Sequence, residues 1–118
     1  AGIPTEISLD IPADLDIDPF GLSMVISNLM ENAIHSCQNL PQGKPAYLRL
    51  TCHHAGRLLL EIENPCSPDT MLDENGLPIV RGEGHGIGSK SVAAFARNYD
   101  AELLYEIANG VFRVRLLV

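Results

Sequence analysis

The hydrophobic residues change their period along the chain, and the order of these changes restricts the fold more than any other feature. Residues 5–11 alternate between apolar and polar side chains, which predicts a half-buried strand with an apolar face of Ile7, Leu9 and Ile11. Asp18-Pro19 then reads as a helix start, with Asp as the cap and Pro in the first turn. We expect this helix to end at about Gln38, before Pro41 and Gly43.

The second half of the chain repeats the strand pattern. Alternation over residues 47–63 predicts two strands joined by a hairpin turn. Residues 65–85 are rich in Gly and Pro and predict a long loop of the kind that is functional or mobile, and residues 86–99 show helical spacing. The last residues predict a second hairpin, because Asn109-Gly110 is typical of a type I′ turn.

These patterns predict an α+β fold. The order is strand, helix, strand, strand, loop, helix, strand, strand, so neighbouring strands should pair antiparallel. Two helices on one face of a mixed, mostly antiparallel sheet would give a two-layer sandwich. The chain has 118 residues, of which 46% are hydrophobic, so we expect residues 1–118 to form a single domain.

Charge and cysteine content exclude several function classes. The net charge of −7 disfavours nucleic acid as a partner, because phosphate backbones bind basic surfaces. The three cysteines show no CxxC spacing, which favours reduced thiols in a cytoplasmic protein. A metal site on Cys52, His53 and His54 is an alternative, but adjacent strand residues point to opposite faces.

The first helix carries a polar stripe of Asn28, Glu31, Asn32 and His35, at spacings that place them on one side. Amide oxygens suit a hard cation such as Mg²⁺, Glu31 adds a carboxylate, and His35 could donate to a phosphate. The alternative is an ordinary solvated helix face. The apolar side of the same helix is predicted to contain Leu22, Ile26, Leu29, Met30, Ala33 and Cys37.

Glycine occupies every second position from Gly82 to Gly88, just before the second predicted helix. Exposed backbone N–H groups at a helix start bind anions, and Lys90 in the first turns would be compensated by an anionic ligand. The spacing is neither a dinucleotide fingerprint nor a Walker A loop. The run therefore favours a phosphate-binding loop, with a merely flexible loop as the alternative.

In combination, these motifs resemble the GHKL (Bergerat-fold) family of ATPases and kinases. The segment from Ser27 to Ile34 resembles the family's Asn-x-x-x-Asn-Ala box, and Gly84-His85-Gly86-Ile87-Gly88 resembles its second glycine box. Asn64-Pro65 lies where the family has its first glycine box, but lacks the usual Asp and glycines. The resemblance covers nearly the whole chain.

The resemblance implies roles for individual residues. It implies that Asn32 holds Mg²⁺, that Asn28 and His35 lie near the phosphates of ATP, and that Asn64 meets the adenine edge. The glycine box would wrap the phosphates, and residues 66–83 would form the ATP lid. The residues then expected to bind nucleotide are Asn28, Asn32, His35, Asn64, Gly84, His85, Gly86, Ile87, Gly88 and Lys90, with Arg81 as a further source of positive charge.

Within the family, the chain is most similar to histidine kinases that sense peptide pheromones in Gram-positive bacteria. We therefore expect it to be the cytoplasmic domain of a membrane-bound sensor, without membrane contact of its own. It would transfer the γ-phosphoryl group of Mg-ATP to a histidine on a separate helical domain, which would also form the dimer. A response regulator would then receive the phosphoryl group. Asn28 and Glu31 are the candidate catalytic residues.

Two alternatives remain within the family. A serine kinase of the anti-sigma type would need a Glu in the Asn box and an intact Asp in the first glycine box. A degenerate GHKL module would bind nucleotide weakly or not at all and would serve as an interaction domain.

Overall fold

The computed structural model describes residues 3–12, 14–68, 70–74, 76 and 86–118, with the backbone alone for residues 86–89. The described residues form strands and helices in the predicted order: β1 (Thr5–Asp10), α1 (Pro19–Gln38), β2 (Leu48–Ala55), β3 (Arg57–Pro65), α2 (Gly86–Asn98), β4 (Glu102–Ala108) and β5 (Val111–Leu117).

The strands form one sheet in the order β1-β2-β3-β5-β4. β1 pairs parallel with β2, which the α1 crossover makes possible, and all other neighbours pair antiparallel. α1 packs on β3 and α2 packs on β4, on the same face as one another. The predicted α+β sandwich with a mixed, mostly antiparallel sheet is confirmed.

The N-terminus of α1 is capped as the sequence predicts. Asp18 Oδ1 and Oδ2 accept hydrogen bonds from the backbone N–H groups of Phe20 and Gly21, at 3.1 and 3.3 Å. Asp18 thereby satisfies N–H groups that have no partner inside the helix, and Pro19 removes another. Val25, which the predicted apolar face omits, is fully buried, whereas Ile26 and Met30 are only half-buried.

The turns of both hairpins require residues that tolerate positive φ. Gly56 connects β2 and β3 with φ of 80°, and Asn109 and Gly110 connect β4 and β5 with φ of 54° and 75°. Two successive positive φ values define the predicted type I′ turn. The hairpins place alternate side chains against the helices, where the sheet contributes Leu48, Leu50, Cys52, Leu58, Leu60, Ile62, Val114 and Leu116 to the buried core.

The prediction of a half-buried β1 was wrong. Every residue of β1 is exposed, and Ile7 and Leu9 retain 50% and 53% of their accessible surface. Ile11 lies beyond the strand end and is also exposed, at 37%. The physical reason is the position of β1 at the sheet edge, since α1 packs over β3 rather than over the edge strand.

The sheet face opposite the helices carries a row of charges that crosses all five strands. Strand register aligns Glu6, Arg49, Glu63, Arg113 and Glu106, one from each strand, so that opposite charges alternate. Successive pairs approach to between 2.9 and 3.4 Å. This charge row keeps the uncovered sheet face polar.

In the part of the chain that the structure describes, neither helix has the length and hydrophobicity to cross a bilayer.

Candidate functional site

The two helices run antiparallel and set the level of the site along α1. At the N-terminus of α1, the Asp18 N–H donates to Tyr99 Oη at 2.8 Å, and a Cβ on Gly21 would lie 3.5 Å from the Phe95 ring. The C-terminal end of α2 therefore contacts the N-terminal end of α1. Gly86, the first residue of α2, lies about 13 Å from Phe95 along the helix axis. Since Phe95 lies next to Gly21 and the helices run antiparallel, this distance would place Gly86 level with the middle of α1.

The middle of α1 carries the predicted polar stripe, and burial separates its members. Asn28 and Asn32 are half-buried, whereas Glu31 and His35 are exposed. The two asparagines follow Gly21 by seven and eleven residues, so they lie on the side of α1 that faces α2. Helical spacing therefore predicts that Asn28 and Asn32 face the start of α2, whereas Glu31 and His35 are exposed to solvent.

The start of α2 presents backbone N–H groups without helical acceptors. Gly86, Ile87 and Gly88 belong to its first turn, which contains no acidic residue to compensate the helix dipole. Lys90 follows in the helix and is exposed. These features suit an anionic ligand. Gly84, His85 and Arg81, which complete the predicted phosphate-binding set, lie outside the described residues.

Asn64 lies near the end of β3, the strand on which α1 packs. It continues the inward-facing series of Leu58, Leu60 and Ile62 and retains only 2% of its accessible surface. Its Nδ2 donates one of its two N–H groups to the Pro65 carbonyl at 2.8 Å, and the amide oxygen is the group that can accept from a ligand. Pro65, predicted to start the loop, is instead the last residue of β3, opposite Val111.

The part of the predicted lid that the structure describes begins in the core. Cys66 retains 1% of its surface, and Leu72 packs against the core cluster. Backbone hydrogen bonds form local turns between residues 67 and 70 and between residues 73 and 76. The predicted lid of residues 66–83 is therefore anchored at its start; its later residues, 77–83, lie outside the described ones.

Lys44 is a residue of this region that no sequence pattern indicates. Its Nζ donates to the Cys66 carbonyl at 2.7 Å, which joins the loop after α1 to the end of β3. No local pattern signals this contact, because the two residues are separated by 22 positions and meet only in the folded sheet.

The cysteines are buried free thiols. Burial raises the pKa of Cys37, Cys52 and Cys66 above the ordinary thiol value, which favours their neutral form. The thiol of Cys52 lies in the core while His53 and His54 are exposed, so these three side chains do not converge. Across the described residues, no group of three metal-ligating side chains of His, Cys, Asp or Glu is present.

Solved structures share this fold. The histidine kinase domain of the Erythrobacter litoralis EL346 blue-light activated histidine kinase has a TM-score of 0.70 and 15% identity, over 98% of this chain and 51% of that one. The nucleotide-free catalytic domain of histidine kinase ThkA has a TM-score of 0.72 and 16% identity, over 98% and 79%. The mycobacterial sensor histidine kinase MprB has a TM-score of 0.67 and 16% identity, over 98% and 80%.

These identities establish a common fold, and this chain spans about half of the first of these proteins. A search of curated proteins found no match. The sequence profile of the GHKL domain matches residues 17–118, which include α1, the end of β3 and the start of α2. The chain therefore belongs to the GHKL domain family.

Proposed function

We propose that this domain binds Mg-ATP and donates the γ-phosphoryl group to a histidine on a separate helical domain. The observation that carries the proposal is the half-burial of Asn28 and Asn32 on α1, the helix that packs against α2. Buried Asn64 lies at the end of the neighbouring β3. Membership of the GHKL family and the fold shared with histidine kinase catalytic domains support the proposal.

Each residue of the site has a proposed part in binding. Asn32 is proposed to hold Mg²⁺ through its amide oxygen, the donor type that this hard cation prefers. Bound Mg²⁺ would neutralise charge on the phosphates. Asn28, His35 and Lys90 would donate to phosphate oxygens, together with the backbone of Gly86, Ile87 and Gly88. We propose that Gly84 and His85 extend this contact.

Asn64 is proposed to recognise the base. The hydrogen bond from its Nδ2 to the Pro65 carbonyl fixes the plane of the amide, and we propose that its Oδ1 accepts from the exocyclic amino group of adenine, a donor of the right kind. A neutral amide accepts less strongly than a carboxylate would, so we expect modest affinity.

The residues of the stripe favour transfer to a histidine rather than to water. Phosphoryl transfer depends mainly on positioning and charge neutralisation, and an imidazole acceptor is already a nucleophile. Asn28 cannot act as a general base, because its amide does not take up a proton at neutral pH. Glu31 is the acidic member of the stripe, and we propose that it assists catalysis from its exposed position by adding a carboxylate near the Mg²⁺ ion.

Replacement of Asn28 by Glu tests the choice of acceptor. We expect slow ATP hydrolysis by the unaltered chain and a roughly 10- to 100-fold increase in Asn28→Glu, because a carboxylate can activate water. Asn28→Gln is the matched control, since it adds the same length without a base. Fast hydrolysis by the unaltered chain, measured as phosphate release, would contradict the proposed acceptor.

A degenerate GHKL module that acts as an interaction domain is the alternative. It is favoured by the Asn64-Pro65 sequence, in which a neutral amide with one donor already engaged replaces the family's carboxylate. Failure to bind adenine nucleotide at millimolar concentration would support this alternative over the kinase function.

The wider context is also part of the proposal. We propose that residues 1–118 are the catalytic domain of a longer sensor kinase of the peptide-pheromone type, on the cytoplasmic side of a membrane. Its partners would be its own phosphoacceptor and dimerisation domain and a response regulator. The fold shared with histidine kinase domains supports the kinase part of this proposal.

A further inference from the structure

The loop between α1 and β2 reaches across to the end of β3. The Lys44 N–H donates to the Pro41 carbonyl at 3.2 Å, which closes a turn, and Gly43 adopts φ of 88°, a conformation that favours glycine. The turn directs the Lys44 side chain to the Cys66 carbonyl, which its ammonium contacts at 2.7 Å. A charged donor makes this hydrogen bond stronger than a neutral pair would be.

Both backbone polar groups of Cys66 are held by other segments. Its N–H donates to the Gly110 carbonyl in the β4–β5 turn at 2.9 Å, and its carbonyl accepts from Lys44. Cys66 retains 1% of its accessible surface, so either group would be buried without a partner if its contact were lost. A Cβ at Gly110 would lie 3.1 Å from Lys44 Nζ, which shows how closely the ammonium approaches this turn.

The same peptide unit orients Asn64. The Pro65 carbonyl and the Cys66 N–H belong to one planar peptide, so rotation of either group moves the other. The Asn64 amide binds the carbonyl side of this peptide, and Gly110 binds the N–H side. Lys44 holds the next carbonyl and therefore limits rotation about the bonds that follow the peptide.

We propose that Lys44 is a positioning residue for the base of the bound nucleotide. It holds the Cys66 carbonyl and thereby fixes the strand end that orients the Asn64 amide. The inference rests on the proposed nucleotide function and adds to it a residue that lies outside the Asn box and the glycine boxes. It also gives a reason why a neutral Asn could bind the base at this position. The contacts of the Pro65 and Cys66 carbonyls would fix the orientation of the Asn64 amide.

Substitution of Lys44 tests the inference. Lys44→Met keeps a long apolar stem and removes the donor, and Lys44→Arg keeps a charged donor. We expect the dissociation constant of a non-hydrolysable Mg-ATP analogue to rise roughly tenfold in Lys44→Met and to return close to the original value in Lys44→Arg. Arg57→Met is the matched control, because Arg57 donates to the Leu117 carbonyl at the opposite end of β3.

A double-mutant cycle with Asn64→Ala separates positioning from other effects of the substitution. If Lys44 acts through Asn64, Lys44→Met should weaken binding in the original chain and change it little in the Asn64→Ala background. Equal losses in both backgrounds, or a comparable loss in Arg57→Met, would overturn the inference, since they indicate direct contact or general destabilisation. Unchanged binding by Lys44→Met overturns this inference alone, whereas no binding by the unaltered chain overturns the proposed function as well.

Discussion

At the scale of single residues, Asn64 shows how a local hydrogen bond decides the chemistry available to a ligand. The side chain is buried, and its amide nitrogen donates to the next carbonyl in the chain. An Asp at this position would present an oxygen to that carbonyl and could not make the same bond. The neutral amide is therefore suited to this backbone, whatever its effect on nucleotide affinity.

Asn64→Asp is expected to destabilise the domain. The new carboxylate would be buried beside the Pro65 carbonyl without its donor, and the free energy of unfolding should fall by about 1–3 kcal/mol. Urea denaturation followed by circular dichroism measures the change. Unaltered stability in Asn64→Asp would contradict the role assigned to this hydrogen bond.

The buried thiols predict a dependence of stability on pH. Burial raises the pKa of Cys52, so the folded chain keeps the thiol proton at a pH where the unfolded chain releases it. The unfolded state then binds fewer protons, and stability must fall as pH rises above roughly 8.5, the ordinary pKa of a thiol. Below that pH the contribution of the buried Cys52 thiol to the free energy of unfolding is fully present.

Urea titrations at several pH values between about 7.5 and 9.5 test this dependence. The unfolding free energy of Cys52→Ala should start lower, because the side chain is smaller, but should fall less steeply with pH. Parallel pH profiles for the two chains would contradict the assignment.

At the scale of secondary-structure elements, the charge row ties the five strands together on their uncovered face. Glu63 is its most buried acid, with 11% of its side-chain surface exposed, and lies between Arg49 and Arg113. Glu6 ends the row on the edge strand with 71% exposed. Charge pairs gain strength with burial, so the members of one row should contribute unequally.

Glu63→Gln should lower the free energy of unfolding by about 1–3 kcal/mol, because two guanidinium groups lose a charged acceptor. Glu6→Gln is the matched control and should change it by less than about 0.5 kcal/mol, because an exposed ion pair is screened by solvent. Equal effects of the two substitutions in urea denaturation would show that burial does not decide how much each acid of the row contributes to the free energy of unfolding.

The elements themselves could be predicted because their signals are local. Hydrophobic period, the Asp18-Pro19 start and the Asn109-Gly110 turn each lie within a few residues, and the structure confirms the order of elements. The burial of β1 could not be predicted, since it depends on which strand lies at the sheet edge. The contact of Lys44 with the Cys66 carbonyl also depends on tertiary structure and could not be predicted. The greater burial of Asn28 and Asn32 than of the other stripe residues could not be predicted for the same reason.

At the scale of the whole domain, the proposed site draws on three separate parts of the chain: the middle of α1, the end of β3 and the start of α2. α1 packs on both α2 and β3, and the N-terminal end of α1 contacts the C-terminal end of α2. We expect one nucleotide to contact all three segments, with its phosphates toward the helices and its base toward Asn64.

The most direct test is calorimetric titration of the domain with a non-hydrolysable ATP analogue, with and without Mg²⁺, for the original chain and Asn32→Ala. Gln38→Ala, exposed at the end of the same helix, serves as the control. We expect the affinity for the analogue to fall without Mg²⁺ and in Asn32→Ala, but not in Gln38→Ala. No binding at millimolar analogue, or equal binding by Asn32→Ala and the original chain, would contradict this expectation.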